Sequence, residues 1–384
     1  MINVITETAA LESFCTALAN EKFVTVDTEF MREKTYYPQL CLIQAAGENT
    51  AAVIDPLSPE IDLSAFFRLL DNPAILKVFH ACRQDMEIFY HTAGKLPTPL
   101  FDTQIAAMVC GYGESASYET LVNKILGIAV DKSSRFTDWS RRPLSDKQLV
   151  YALDDVLHLR QVHLALAKRL SETGRTSWIN EETAPLLDVK TYDNDPDEAW
   201  QRLRLRNTSP RYLAAVQALA RWRELTARER NVPRGRIMKD ETLTEVASAK
   251  PSSFTDLQAL RGFHPTMQAA HYSRLFDALK AVESLPASSY PRLPAKPQYA
   301  PETETLVDLL RILLRNCAGR NQIVPRLIAD KEDLEYLASG KHEGLKVLHG
   351  WRHEIFGQHA LKLLEGKILL KADRNAGIVF IDSE

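Results

Sequence analysis

The stretch Val24-Thr25-Val26-Asp27-Thr28-Glu29-Phe30 decides how this chain reads. Its β-branched and aromatic residues suit a strand, yet it carries two carboxylates two residues apart. Side chains alternate faces along a strand, so Asp27 and Glu29 project from the same side, close enough to share a cation. Two further acids occur in matching settings: Asp85 early in a helical pattern, and Asp155 one helical turn after Tyr151. Four carboxylates and a tyrosine point to metal-assisted phosphodiester hydrolysis.

Working outward, residues 40–45 and 51–55 read as further strands joined by short turns, which favours an antiparallel meander. Residues 63–70 then read as a helix, 75–79 as a buried strand, and 85–93 as a helix closed by Gly94. Strands first and alternating elements afterwards predict a mixed sheet with helices on its faces. From Asp102, a helix N-cap, the pattern is wholly helical. Ser145-Asp146-Lys147-Gln148 reads as a capping box ahead of a long helix with Leu149, Leu153, Val156, Leu157 and Leu164 at helical spacing.

Two later blocks, 207–286 and 300–375, are helical and flank a proline-marked linker at 285–294. Val232-Pro233-Arg234 followed by Ile237, Asp240 and Leu243 is echoed by Val324-Pro325-Arg326 followed by Ile328, Asp330 and Leu334, so a duplicated module is the economical reading. The expected division is 1–200 for the sheet-containing unit and its connecting helices, then the two blocks. Net charge over the 384 residues is −3, but between Trp200 and Leu285 there are 15 Lys and Arg against eight Asp and Glu. That basic middle segment suits a polyanion, whereas the acidic remainder suits divalent cations; arginines also simply solvate helices.

Five scattered cysteines, without paired spacing or a histidine partner, argue for reduced thiols and a cytoplasmic setting. The N-terminus lacks a basic segment followed by an apolar run, and no apolar stretch approaches about 18 residues, so neither secretion nor membrane insertion is expected. No obligate protein partner is indicated.

Taken singly, each acid is more ordinary. Asp85 alone would favour a helix N-terminus, Tyr151 alone would be core packing, and Asp102 and Asp154 keep such readings. The set overturns them through its types, spacing and order. Magnesium is the default hard cation for oxygen ligands, with manganese the substitute. Tyr151 would orient the attacking water, or act as a base were its pKa lowered.

Three segments then carry a resemblance. Asp27-Thr28-Glu29, residues 78–85 with His80 and Asp85, and Tyr151-Ala152-Leu153-Asp154-Asp155 resemble the exonuclease motifs of the DEDD superfamily, tyrosine branch. Residues 30–44 and Asp138-Trp139-Ser140-Arg141-Arg142-Pro143-Leu144 resemble bacterial ribonuclease D, and the helical blocks resemble HRDC domains, the second more divergent. The resemblance implies a ribonuclease H-like α/β fold followed by two all-α HRDC-like bundles. It also implies a 3′-5′ exoribonuclease that releases nucleoside 5′-monophosphates from RNA, above all from tRNA precursors with 3′ extensions. In that reading Asp27, Glu29, Asp85 and Asp155 ligate two divalent ions and Tyr151 positions water.

Phe30 and Met31, beside the metal-binding strand, are expected to wedge at the terminal base, and His80 is expected among the substrate-binding residues. Arg221, Arg223, Arg234, Arg236 and Lys239 are expected to hold the RNA body. A DNA exonuclease of the same branch and a non-catalytic nucleic-acid-binding relic remain open alternatives, since two-metal chemistry does not itself distinguish the sugars.

Overall fold

A computed structural model describes residues 2–261, 263–293, 300–374 and 377–382; Pro294 of the expected linker and residue 375 lie outside them. The first part runs β1 (Val4–Ile5), α1 (Thr8–Leu18), β2 (Phe23–Met31), β3 (Gln39–Ala46), β4 (Ala51–Ile54), α2 (Ser64–Leu70), β5 (Leu76–Phe79), α3 (Arg83–Ala93), β6 (Leu100–Asp102), α4 (Thr103–Val109), α5 (Tyr118–Leu126), α6 (Asp146–Glu172) and α7 (Thr176–Thr183). The strands form one sheet in the order β1-β4-β3-β2-β5-β6. β2, β3 and β4 are the antiparallel meander; β1 pairs with β4, β5 with β2 and β6 with β5 in parallel.

Alternation along β2 feeds two layers. Val24 and Val26 pack with Phe66, Phe79 and Phe89 under α1–α3. On the other face the Thr25 hydroxyl donates to the Val156 carbonyl (2.8 Å), fastening α6 across the sheet. The acids of β2 therefore point towards α6.

Several details depart from expectation. β1 and β6 are too short for a pattern to show. α1 has no counterpart among the expected elements, although Leu11, Phe14, Cys15 and Leu18 are buried at helical spacing. On α6, Val156 is buried as expected, but Leu157 and Leu164 are 37% and 54% exposed; the face turned inward is Ala152, Asp155, Leu159, Val162 and Leu166. The chain after Asp102 is not wholly helical, because it ends in a hairpin of β7 (Ile368–Asp373) and β8 (Gly377–Asp382). Leu370 and Phe380 of that hairpin pack against the helices, and helix N-caps and periodicity give no sign of it.

The helical remainder comprises α8 (Pro210–Glu229), α9 (Arg234–Ile237), α10 (Asp240–Ala249), α11 (Phe254–Gln258) and α12 (Ser273–Glu283), then α13 (Pro301–Asn321), α14 (Pro325–Ile328), α15 (Lys331–Ala338), α16 (Gly350–Arg352) and α17 (Gln358–Leu364), the last two joined by a π turn at His353–Gly357. Both sets open with a long helix that starts on proline and continue with a four-residue helix. They attach to the sheet unit at different places. Tyr36, at the β2–β3 turn, is 7% exposed; its hydroxyl donates to the buried Glu224 of α8 and accepts from Arg228 and Arg234 (3.2 and 3.3 Å). The Asn231 side chain accepts from the backbone N–H groups of Tyr36 and Tyr37.

The second set shares one core with α4–α7. Trp178 stacks on Trp351 at 4.2 Å, and Arg352 pairs with Glu181 and Glu182. Gly111, at φ +81°, sits so close to this set that a Cβ there would lie 2.2 Å from the Gln322 carbonyl oxygen.

Gly111→Ala therefore combines left-handed strain with a backbone clash and should lower the melting temperature clearly more than Gly94→Ala. Gly94 has a similar φ of +71° but open space, and its substitution carries only about 1 kcal/mol of strain. Equal melting shifts would contradict the close docking.

Candidate active site

The carboxyl end of β2 gathers three of the four expected acids, from β2 itself and from α6. Ligand oxygens of Asp27, Glu29 and Asp155 all lie within 4.8 Å of one another. Asp85 comes from the first turn of α3 and is 6% exposed; the hydroxyl of Thr28, on the opposite face of β2 from its two acidic neighbours, donates to it at 2.5 Å. Tyr151 hydrogen-bonds the Asp155 carboxylate and packs at 6.1 Å from the buried ring of Trp139.

Each side chain is held by its local structure. Asp155 stands on α6, whose carbonyls at 154 and 155 accept from the Tyr118 hydroxyl (3.1 and 2.7 Å), beside the Thr25–Val156 bond. The expected capping box at Ser145 and Gln148 starts that helix. Arg142 clamps the preceding loop: it binds Asp55 through two nitrogens at 2.6 Å each and donates to the Cys41 and Trp139 carbonyls. Asp102 caps α4 and also accepts from the backbone N–H groups of Ala81 and Cys82 (3.2 and 2.9 Å), fixing the left-handed turn at Ala81 (φ +53°) that delivers α3 and Asp85.

Electrostatically the cluster is under strain from its own charge. Burial first, then Asp27, Asp155 and Asp85, push the Glu29 carboxyl up to about 10. Burial raises Asp27 to about 6; burial and then Asp27 raise Asp155 to about 8, against the hydrogen bond from Tyr151. Asp85 is likewise held well above the ordinary range by burial and Asp27. Burial and the neighbouring carboxylates also raise the Tyr151 phenol, so it is a donor rather than a base while those charges stand uncompensated. An all-oxygen donor set that cannot carry its own charge fits a hard divalent cation.

A cavity of about 340 Å³ opens over Asp27, Tyr151 and Asp155, with His80, Tyr118 and Arg135 among its walls. His80 is thus placed at the site, its Nδ1 3.0 Å from the Thr103 hydroxyl. Tyr118 and Arg135 carry no sequence signal: one is an ordinary amphipathic-helix residue and the other lies in an irregular loop. Phe30 and Met31 are not among the cavity's lining residues. They are half-buried on opposite faces of the sheet, Phe30 against the α1–α3 core and Met31 beside Trp139.

Two of the expected RNA-binding arginines are engaged by partners within the protein. Arg223 is 5% exposed and donates to the Met238 carbonyl and Asp240, while Arg234 turns inward onto Glu224 and Tyr36. A half-buried guanidinium facing a buried carboxylate is held there by charge-assisted bonds. Arg221 remains on the surface, paired with Asp197, and Arg236 and Lys239 are exposed.

This fold and acidic cleft define a nuclease, and the comparisons agree. Residues 2–171 match the 3′-5′ exonuclease family and residues 213–279 the HRDC domain. The chain is 48% identical to ribonuclease D of Bartonella henselae, covering 96% of this chain and 91% of that one, and 46% identical to ribonuclease D of Acidiphilium cryptum, covering 96% and 94%. The crystal structure of Escherichia coli RNase D, an exoribonuclease involved in structured RNA processing, superposes with a TM-score of 0.82 at 30% identity, covering 95% of this chain and 99% of that one. The chain belongs to the ribonuclease D family: it is a 3′-5′ exoribonuclease, a hydrolase with a ribonuclease H-like domain followed by an HRDC domain. That exonuclease fold implies divalent metal ions, and RNA is its substrate. Among the described residues, no helix is long and apolar enough to cross a membrane.

The raised carboxyls give a pH signature. Groups whose pKa is higher in the folded chain than in the unfolded one stabilise it below the unfolded values, near 4, and that stability is lost as pH rises through about 6 to 10. The metal-free chain should therefore lose stability from this site as pH increases. The rise in melting temperature on adding a divalent cation should grow between pH 5 and 9, and should vanish in an Asp27→Asn, Glu29→Gln double variant. A metal-induced shift independent of pH would refute this.

Proposed function

We propose that Asp27, Glu29, Asp85 and Asp155 hold two divalent cations, magnesium by default with manganese as the substitute, and that the chain trims 3′ extensions from tRNA precursors and other small structured RNAs to release nucleoside 5′-monophosphates. The convergence of three carboxylates within 4.8 Å, with Asp85 near enough for Asp27 and Glu29 to feel its charge, carries this reading. When bound there, the cations supply Lewis-acid stabilisation of the charge that develops on the scissile phosphate. Tyr151 donates its hydroxyl proton as a hydrogen bond and orients the attacking water, and the walls of the cavity admit one unpaired 3′ end at a time. The E. coli enzyme's part in structured RNA processing supports this substrate class.

The three-part division at 1–200, 207–286 and 300–375 belongs to the same proposal, with α13–α17 as a second, divergent HRDC-like bundle; the matched order of long and short helices supports it. A cytoplasmic setting is supported by five buried, separate thiols. Exposed Arg236 and Lys239 would meet phosphates of the RNA body.

The test is a time course with a 5′-labelled tRNA carrying a short 3′ extension, beside single-stranded DNA of the same sequence, with magnesium or EDTA. Magnesium-dependent shortening of the RNA that stops near the mature end is the expected result; no shortening of either polymer, with binding retained, would leave a non-catalytic binding protein. Asp27→Ala and Asp155→Ala should each lower turnover by about a hundredfold or more, and Tyr151→Phe should slow the chemical step.

Because α13–α17 share a core with α4–α7, deleting the helical part would expose apolar surface, so charge reversal is the cleaner probe. Arg236→Glu with Lys239→Glu should weaken binding of a whole tRNA precursor more than of a short oligonucleotide, and should reduce the salt slope by about one for each phosphate that is no longer neutralised. Equal losses on both ligands would return these residues to ordinary surface roles.

A further inference from the structure

Phe136 is 90% exposed, in the loop between α5 and α6. Its position is the informative part. Arg135 and Lys132 of the same loop line the acidic cavity, and the Arg135 guanidinium lies over the Phe136 ring, 5.2 Å from its centre. The residues around the ring are anchored. Ser134 is 5% exposed; the Thr137 hydroxyl donates to the Ser134 carbonyl (2.7 Å) and accepts from Gln148 at the start of α6 (3.1 Å); the backbone N–H groups of Arg135 and Thr137 close onto the Lys132 and Ser134 carbonyls; and Trp139 is buried. A phenylalanine set between such anchors is presented to solvent by the loop's own bonds, outside the cavity lining itself but directly next to Arg135 of its wall.

We propose that Phe136 is a stacking platform for an unpaired base of the RNA 3′ tail, with Arg135 beside it for the adjoining phosphate. The inference rests on the reading of the acidic cavity as the hydrolytic site. The chemistry that fits is a flat aromatic face next to an anion, which a nucleotide supplies and which a single-stranded tail leaves open, since a duplex already covers its base faces. The platform is tolerant of base identity, because every base offers a π face. It would select for a tail that reaches this loop rather than for a sequence.

The experiment compares the wild-type chain, Phe136→Ala and Phe136→Trp on an RNA hairpin with a short single-stranded 3′ tail and magnesium, with each tail nucleotide in turn made abasic. Phe136→Ala should raise KM about tenfold, the scale of one base–aromatic stack, with kcat changed by less than about twofold, and Phe136→Trp should restore KM. At one tail position the abasic nucleotide should raise the wild-type KM similarly yet add nothing in Phe136→Ala, as two changes to one contact must. An unchanged KM in Phe136→Ala, or abasic and alanine effects that add at every position, would overturn the proposal. So would a fall in kcat and melting temperature that tryptophan does not restore. If the wild-type chain released no nucleotide at all, the hydrolytic reading would fail first, visibly in that arm, and this inference with it.

Discussion

Like charges held close together inside a protein are the constraint around which this structure is arranged. Two carboxylates at the spacing of Asp27, Glu29 and Asp155 repel by about 3–4 kcal/mol per pair at an effective dielectric of about 20, before any loss of hydration is counted. A chain free to relax would move them apart. Here they stay because β2 carries two of them at a spacing set by the pleat, while α6 is fastened to β2 by the Thr25–Val156 bond and braced by Tyr118. The repulsion is relieved by protons or by divalent cations, and it gives the site its affinity for the latter.

The surrounding polar contacts follow from that constraint. Asp102 and Arg142 touch none of the reacting groups, yet each fixes the approach of an element that does. Asp102 sets the turn before α3 and hence Asp85; Arg142 sets the loop before α6 and hence Tyr151. Asp102 is itself buried and Arg142 satisfies the buried Asp55, so removing either would leave unsatisfied partners in the interior. Positioning is carried by such bonds because a misplacement of an ångström in a hydrolytic site costs more rate than most contacts supply.

The helical parts are joined to the nuclease by the same logic on a larger scale. Tyr36 enters α8 with Glu224, Arg228 and Arg234 around its hydroxyl, and Trp178 stacks on Trp351 under Arg352. Arginines that look like a nucleic-acid footprint in one dimension are therefore divided between joints and surface. Arg223, Arg228 and Arg234 serve packing, while Arg236 stays in solvent. Charge balance along the chain cannot separate these uses, since a guanidinium reaches several ångströms and its partner is chosen by the fold.

What the sequence determined by itself is what local rules govern. The period of two in β2 put Asp27 and Glu29 on one face; the period of 3.6 put Tyr151 and Asp155 on one side of α6; Gly94, Asp102 and the Ser145 capping box ended or began helices where such residues do. Only the tertiary structure decided which distant side chains meet. Thr28, on the face of β2 away from its acidic neighbours, became the partner of Asp85; Tyr118 and Arg135 became walls of the cavity; Leu157 and Leu164 stayed outside although their spacing matched the core. The terminal hairpin and the three-residue β6 were invisible because their burial comes from neighbours, not from a pattern long enough to read. Periodicity assigns a residue to a face, but the identity of what covers that face is a long-range fact, settled when the sheet, the helices and their joints close together.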